Sequence, residues 1–127
     1  MDNLQVLVIS EKSIITSMLL GELEKKQCYI TLTQDGLEAF NHLIKSKFDL
    51  VISSVEIENL DGFQLLAAVR ASHSLNSLTP FIMLTSVGNF DNFARLESRP
   101  DFIIMKNKSL PEELNIVLEK IRSNRNR

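Results

Sequence analysis

Few residues in this 127-residue chain could do chemistry. There are two histidines, His42 and His73, one cysteine, Cys28, and a set of polar residues that directly follow apolar runs. That set is Ser10-Glu11, Ser53-Ser54 with Glu56 just beyond, Thr85-Ser86, and Lys106. A serine hydroxyl becomes a useful nucleophile only when a base within hydrogen-bond reach takes its proton. No such base is recognisable: His42 falls within a helical segment and His73 after another, so both read as surface histidines. A lone cysteine excludes an internal disulfide and a cysteine-rich metal site, and Cys28, inside an apolar run, reads as a small buried side chain. Without a base–nucleophile pair or a metal cluster, no enzymatic chemistry and no cofactor are expected.

The elements that position these residues alternate regularly. Apolar runs of strand length are Leu4 to Ile9, Cys28 to Thr33, Leu50 to Ser53, Phe81 to Leu84 and Phe102 to Met105. Between them lie segments of helical period. The first is Ile14–Leu23, with Ile15, Met18, Leu19 and Leu23 in step. The second follows Asp35-Gly36 and sets Leu37, Phe40 and Ile44 on one face. The third follows Asp61-Gly62, which supplies its cap and turn, and groups Phe63, Leu66 and Val69. Ser72 to Thr79 reads as a polar loop. A short, polar helix is expected over Asn92 to Ser98, limited by Pro100. The last helix runs from Pro111 and carries Leu114, Val117, Leu118 and Ile121, with Glu112-Glu113 at its amino end.

Short, continuous apolar strands alternating with helices imply a parallel sheet covered on both faces. The expected class is α/β, a doubly wound five-stranded parallel sheet of flavodoxin-like order 2-1-3-4-5. One domain is expected over 1–122, with 123–127 a tail or the start of a linker. An apolar fraction of 44%, a charged fraction of 24% and a net charge of −2 suit a soluble domain. They give no basic stripe for nucleic acid. No apolar stretch approaches the ~18 residues of a membrane span. The opening Met-Asp-Asn enters a strand without a signal-peptide pattern, so the cytoplasm is the expected location.

In such a sheet the functional crevice opens at the carboxyl ends of the strands, where the residues above lie. Together they form a recognisable constellation. The segment Asp49 to Phe63, the strand Val6 to Ser10 with Glu11, the strand Pro80 to Thr85, and Met105-Lys106 occur in order and at suitable spacing. The chain resembles, along essentially its whole length, the receiver domains of two-component response regulators. The resemblance implies that Ser54 stands where the family carries its phosphoacceptor aspartate, and Ser10-Glu11 where it carries the acidic pair that holds Mg²⁺. Thr85 and Lys106 match the family's hydroxyl residue and lysine. Glu58-Asn59 stands where the pattern has Pro-Gly before the Asp-Gly turn, and Asn107 where it has the proline after the lysine. The aromatic switch position is Ile103, with Phe102 displaced by one.

These departures point to a receiver without phosphotransfer. The family's three carboxylates and one lysine sum to −2, which Mg²⁺ neutralises. Here Glu11 and Lys106 sum to zero, and Glu56 adds −1 only if it turns inward, so Glu11 and Glu56 are at most weak metal ligands and no metal site is expected. Lys106 is expected to pair with Glu11 or Glu56. The expected role is binding of a protein partner, a signalling component or a fused output domain, through the face around the 92–98 helix and the last strand. Phe90 and Phe93 would form the apolar patch. Neither nucleic acid nor a membrane is an expected partner, and a homodimer is left open. Two rival readings are a divergent receiver that still accepts phosphate, for instance on Glu56, and a small-ligand sensor using the vacated pocket.

Overall fold

The computed structural model describes residues 3–86 and 98–125. Five strands form one parallel sheet: β1 (Leu4–Ile9), β2 (Cys28–Thr33), β3 (Leu50–Ser54), β4 (Phe81–Thr85) and β5 (Phe102–Met105). Their order is β2-β1-β3-β4-β5, the expected flavodoxin-like arrangement. The described helices are α1 (Ile14–Lys25), α2 (Gly36–Lys45), α3 (Gly62–Ala71) and α4 (Leu110–Arg125). α4 thus takes in the first residues expected as tail. The segment expected as a helix over 92–98 lies almost wholly outside the described residues.

Period-2 alternation of the central strands divides the core into two layers. Leu4, Val6, Val8, Leu50, Ile52, Ile82 and Leu84 face one side, packed by Leu19 and Leu23 of α1 and by Leu114, Val117, Leu118 and Ile121 of α4. Leu7, Ile9, Val51, Phe81 and Met83 face the other, packed by Ala39 and Leu43 of α2 and by Leu65, Leu66 and Val69 of α3. Burial on both faces explains why β3 and β4 open on continuous apolar stretches, Leu50–Ile52 and Phe81–Leu84, and why β1 is apolar except at exposed Gln5.

α2 departs from expectation. Leu37 and Ile44 are 52% and 41% exposed and Phe40 is only partly buried, whereas Gly36, Ala39 and Leu43 form the packed face. The reason is steric. A Cβ at Gly36 would lie 2.3 Å from the Leu60 carbonyl oxygen, so the helix seats on its small residues and turns its larger ones aside. Gly62 plays the same part for α3, where a Cβ would meet the Ser54 carbonyl oxygen at 2.6 Å. Gly62 N–H donates to Val55 O (2.7 Å), which fixes the start of α3 just past the end of β3.

The helix starts are capped by local side chains, which serve amides that have no partner within the helix. Ser13 accepts from Thr16 N–H, Asp35 from Leu37 and Glu38 N–H, and Asp61 forms a capping box with Gln64. The expected loop over 72–79 holds a buried tie. Asn76, fully buried, donates from Nδ2 to the carbonyls of Leu43 (2.5 Å) and Ser46 (2.6 Å). Its Oδ1 accepts from Phe48 N–H (2.9 Å) and from Thr79 Oγ1 (2.9 Å).

Candidate functional site

The register Ile9↔Ser53 between β1 and β3 carries Ser10 and Ser54 side by side at the strand ends. Both are buried, 2% and 1% exposed, and their hydroxyl oxygens are 2.9 Å apart. Ser10 Oγ is also 2.9 Å from Thr16 Oγ1, which comes in from the first turn of α1. Thr16 Oγ1 donates to Glu11 O (2.7 Å) and accepts from Ser13 Oγ (3.1 Å).

A hydroxyl has one proton, so these contacts fix a direction. The Thr16 proton goes to the Glu11 carbonyl, so Thr16 can only accept from Ser10. Ser10 has then committed its proton and can only accept from Ser54. The chain of donation runs Ser54 → Ser10 → Thr16 → Glu11 O. Neighbouring Ser53, also buried, donates its hydroxyl to the Ser54 carbonyl (2.8 Å). The strand ends therefore hold a saturated, uncharged set of hydroxyls. Among the described residues no histidine or carboxylate accepts from Ser54, and burial of neutral, mutually satisfied groups costs little compared with unpaired ones.

The carboxylates lie outside this plug. Glu11, Glu56 and Glu58, all exposed, line an open cleft of about 250 Å³ with Gln34 and Ile57. Among the described residues no three of His, Cys, Asp and Glu come together in a way that could hold a metal ion. Thr85 is buried at the end of β4, and its carbonyl accepts from Lys106 N–H (2.8 Å). Lys106 is partly exposed, and among the described residues it makes no ion pair with Glu11 or Glu56, contrary to expectation. Both glutamates are exposed and line the open cleft.

Ile103 lies opposite Met83 in the β4–β5 register. Phe102, one residue earlier, faces the other side of the sheet. It packs into the layer held by α4, with Lys120 Nζ 5.9 Å from its ring centre. A shift of one residue along a strand changes face, so Phe102 does not occupy the Ile103 position. Phe90 and Phe93 lie outside the described residues. His73 is exposed and His42 sits 3.9 Å from Glu38 on α2, both remote from the strand ends. Cys28 is half-buried, and burial pushes its thiol pKa up against the opposing pull of Arg122.

Thr16 is the site residue that sequence reasoning missed. Ser13 directly after β1 suits a helix cap, but nothing in the sequence says that Thr16, three residues on, reaches back to the strand ends. The turn beside the cleft was also missed. Asp35 accepts from the backbone N–H groups of Glu38 and Leu37 and from Asn59 Nδ2. The Glu38 amide, partly opposed by desolvation and joined by Leu37 and Asn59, holds the Asp35 carboxyl below the ordinary aspartate value. Asn59 adopts φ 69°, in the left-handed region that asparagine tolerates better than most residues.

A five-stranded sheet of this order, with a polar pocket where β1 and β3 end, defines a receiver-type α/β domain. The response regulator receiver domain model matches residues 6–116, and the chain belongs to that family. It is 28% identical over 128 residues to the sensor histidine kinase RcsC of Escherichia coli K12, covering 98% of this chain and 13% of that protein. It is 30% identical over 87 residues to the transcription factor SKN7 of Candida albicans, covering 68% of this chain and 15% of that protein. The chain thus spans a small part of the curated relatives it matches. Among solved structures, the receiver domain of Francisella response regulator 1452 superposes with a TM-score of 0.81 at 25% identity, over 96% of this chain and 98% of that one. A receiver domain from a Pseudomonas aeruginosa PAO1 sensor histidine kinase, solved with magnesium in its active-site cleft, gives 0.81 at 18% identity over 94% and 97%.

Proposed function

We propose that this receiver domain does not accept a phosphoryl group at its strand ends and works in two-component signalling by binding a protein partner. The observation that carries the reading is the directed hydroxyl chain. Aspartyl phosphorylation uses a carboxylate that is already ionised at neutral pH. Ser54 keeps its proton and only shares it in a hydrogen bond to Ser10, a group with no basicity to take it. Magnesium asks for near-octahedral oxygen ligands, several of them charged carboxylates. Ser10 and Ser54 present neutral oxygens already engaged with one another, and Glu11 and Glu56 stand apart in the open cleft. This donor set does not fit the ion.

The rival readings draw less support. Phosphate on Glu56 would require an exposed carboxylate to act without a convergent cation site. A ligand sensor would need a vacated pocket, whereas the hydroxyls fill that space, and the cleft above is smaller than the usual ~300–1,000 Å³ of ligand sites. For the partner we infer a signalling component or a fused output domain, in the cytoplasm. The relatives carry matching segments inside a kinase and a transcription factor. A groove of about 210 Å³ between β5 and α4, lined by Phe102, Ile103, Ile116 and Val117, borders the last strand, which is one part of the expected face, and Ile116 is 55% exposed. No helix among the described residues is long and apolar enough to cross a membrane.

The test compares wild type, Ser54→Asp and Ser10→Asp/Ser54→Asp with a small phosphoryl donor and Mg²⁺, read by intact mass. Wild type should stay unlabelled. The single variant should label weakly at most, since its carboxylate lacks a neutralising cation. The double variant, which restores carboxylates at both strand ends, should label measurably. Labelling of the wild type at any residue would overturn the proposal.

A further inference from the structure

β2 is an edge strand of the sheet, and among the described residues β1 is its one strand partner. Native edge strands are usually shielded by charge, proline, a bulge or shortness, because their free N–H and C=O groups invite another strand. β2 has none of these. It is six residues, Cys-Tyr-Ile-Thr-Leu-Thr, with an unbroken register to β1 from Leu4↔Cys28 to Ile9↔Thr33. The opposite edge, β5, is shorter at four residues and is flanked by Asp101 and Lys106.

The direction of the free groups follows from one hydrogen bond. Ser10 N–H donates to Thr33 O (3.0 Å), so Thr33 turns its backbone toward β1. In a parallel strand alternate residues turn alternate ways. Tyr29, Thr31 and Thr33 are therefore committed to β1, and Cys28, Ile30 and Leu32 aim their N–H and C=O outward.

We propose that the β2 edge is a self-association surface whose occupant is β2 of a second copy of this chain, paired antiparallel about a two-fold axis through Ile30. In that register Ile30 faces the partner's Ile30 and Cys28 faces the partner's Leu32, so every outward-aimed residue of each strand meets an outward-aimed residue of the other. Leu32, 43% exposed, is covered on one face of the joined sheet, and Tyr29, 57% exposed, meets the partner's Thr31 on the other. Charge selects the antiparallel direction. Lys26, whose carbonyl accepts from Arg122, stands at the amino end of β2, while Asp35 and Glu38 stand just past its carboxyl end. A two-fold axis brings the basic end of each copy against the acidic end of the other. It also closes the assembly, whereas β2 against the β5 edge of another copy would propagate without limit. This inference is independent of the reading of the hydroxyl pocket.

Sedimentation of the whole chain from about 1 to about 200 µM tests it, with amide hydrogen exchange at Ile30 as a local readout. A monomer–dimer equilibrium is expected, with Ile30 N–H protection rising as the dimer fills. Leu32→Lys, on an exposed side chain, should raise the dissociation constant by at least ~30-fold with the fold intact by circular dichroism. Lys26→Glu should weaken the dimer several-fold, and Lys26→Glu/Glu38→Lys should restore it. A monomer across the whole range, an open polymer, or a dimer indifferent to Leu32→Lys would each overturn the proposal.

Discussion

The two ends of the sheet solve the same problem with different chemistry. At the carboxyl ends, Ser10, Ser54 and Thr16 pass one proton each along a line that finishes at a single carbonyl. At the amino ends, Asn76 uses both amide protons and its oxygen on Leu43 O, Ser46 O, Phe48 N–H and Thr79 Oγ1. Arg70 extends that second network, donating to the carbonyls of Ser77 (3.0 Å) and Thr79 (2.8 Å) and pairing with Asp101 (2.8 Å). The difference lies in what each network serves. The hydroxyls satisfy mainly one another, so the pocket places few demands on the backbone. Asn76 satisfies main-chain groups of the α2–β3 connection, which have no other partner there.

The largest expected effect breaks the lower network. Asn76→Ala leaves a buried N–H and two carbonyls without their partner, each costing on the order of 1–3 kcal/mol if water cannot reach it. A loss of about 3 kcal/mol is expected, which lowers the melting temperature by roughly 10 °C in a domain of this size. Calorimetry measures it. A change below about 1 kcal/mol would show that solvent replaces the amide, and the contrast between the two ends would fail.

The upper network should respond less, and unequally. Ser54→Ala removes only the first donor in the chain and leaves Ser10 still donating to Thr16. Ser10→Ala removes the acceptor of the Ser54 proton and a donor to Thr16 together. Ser10→Ala should therefore cost about 1 kcal/mol more than Ser54→Ala in denaturant unfolding. Equal costs, or the reverse order, would mean that the direction of donation has been assigned wrongly.

How far all this was legible in the sequence differs between fold and site. The strands and their parallel sheet followed from apolar stretches such as Val6–Ile9 and Leu50–Ile52, because burial on both faces leaves its mark on successive residues. The packed face of α2 did not, because closeness to the Leu60 carbonyl demands Gly36, and Gly36 and the buried Ala39 carry almost no hydropathy signal. At the site, Ser10 and Ser54 were placed by their position after strands. Their partner Thr16 was not, since only three-dimensional proximity shows that a helix-capping turn closes the pocket. The expected Lys106 pairing failed for a related reason. Position after a strand says that a lysine can reach a pocket, not that a carboxylate waits there. Asn76 looked like any loop asparagine until its burial was known.

The smallest effect sharpens the comparison through pH. The hydroxyl chain contains no titrating group, so the pocket itself should add nothing to the acid response. Beside it, however, Asp35 caps α2 with a carboxylate held below its ordinary pKa of 3.8, chiefly by the Glu38 amide. For a group whose folded pKa is depressed, the ionised form is favoured by folding. Its contribution is fully present above the unfolded value and is lost as pH falls through the folded value. Asp35→Asn keeps an acceptor for the cap but carries no charge. Wild type should exceed this variant in stability by a constant amount above about pH 5, and the difference should shrink steadily below about pH 4. Because Asp35 is open to solvent, the difference should also diminish with added salt. Urea melts of both proteins at several pH values measure it, and Ser10→Ala should parallel wild type throughout. A gap between wild type and Asp35→Asn that ignores pH would mean the cap acts by hydrogen bonding alone. A pH-dependent gap for Ser10→Ala would mean that a carboxylate, most directly Glu11, enters the strand-end pocket after all.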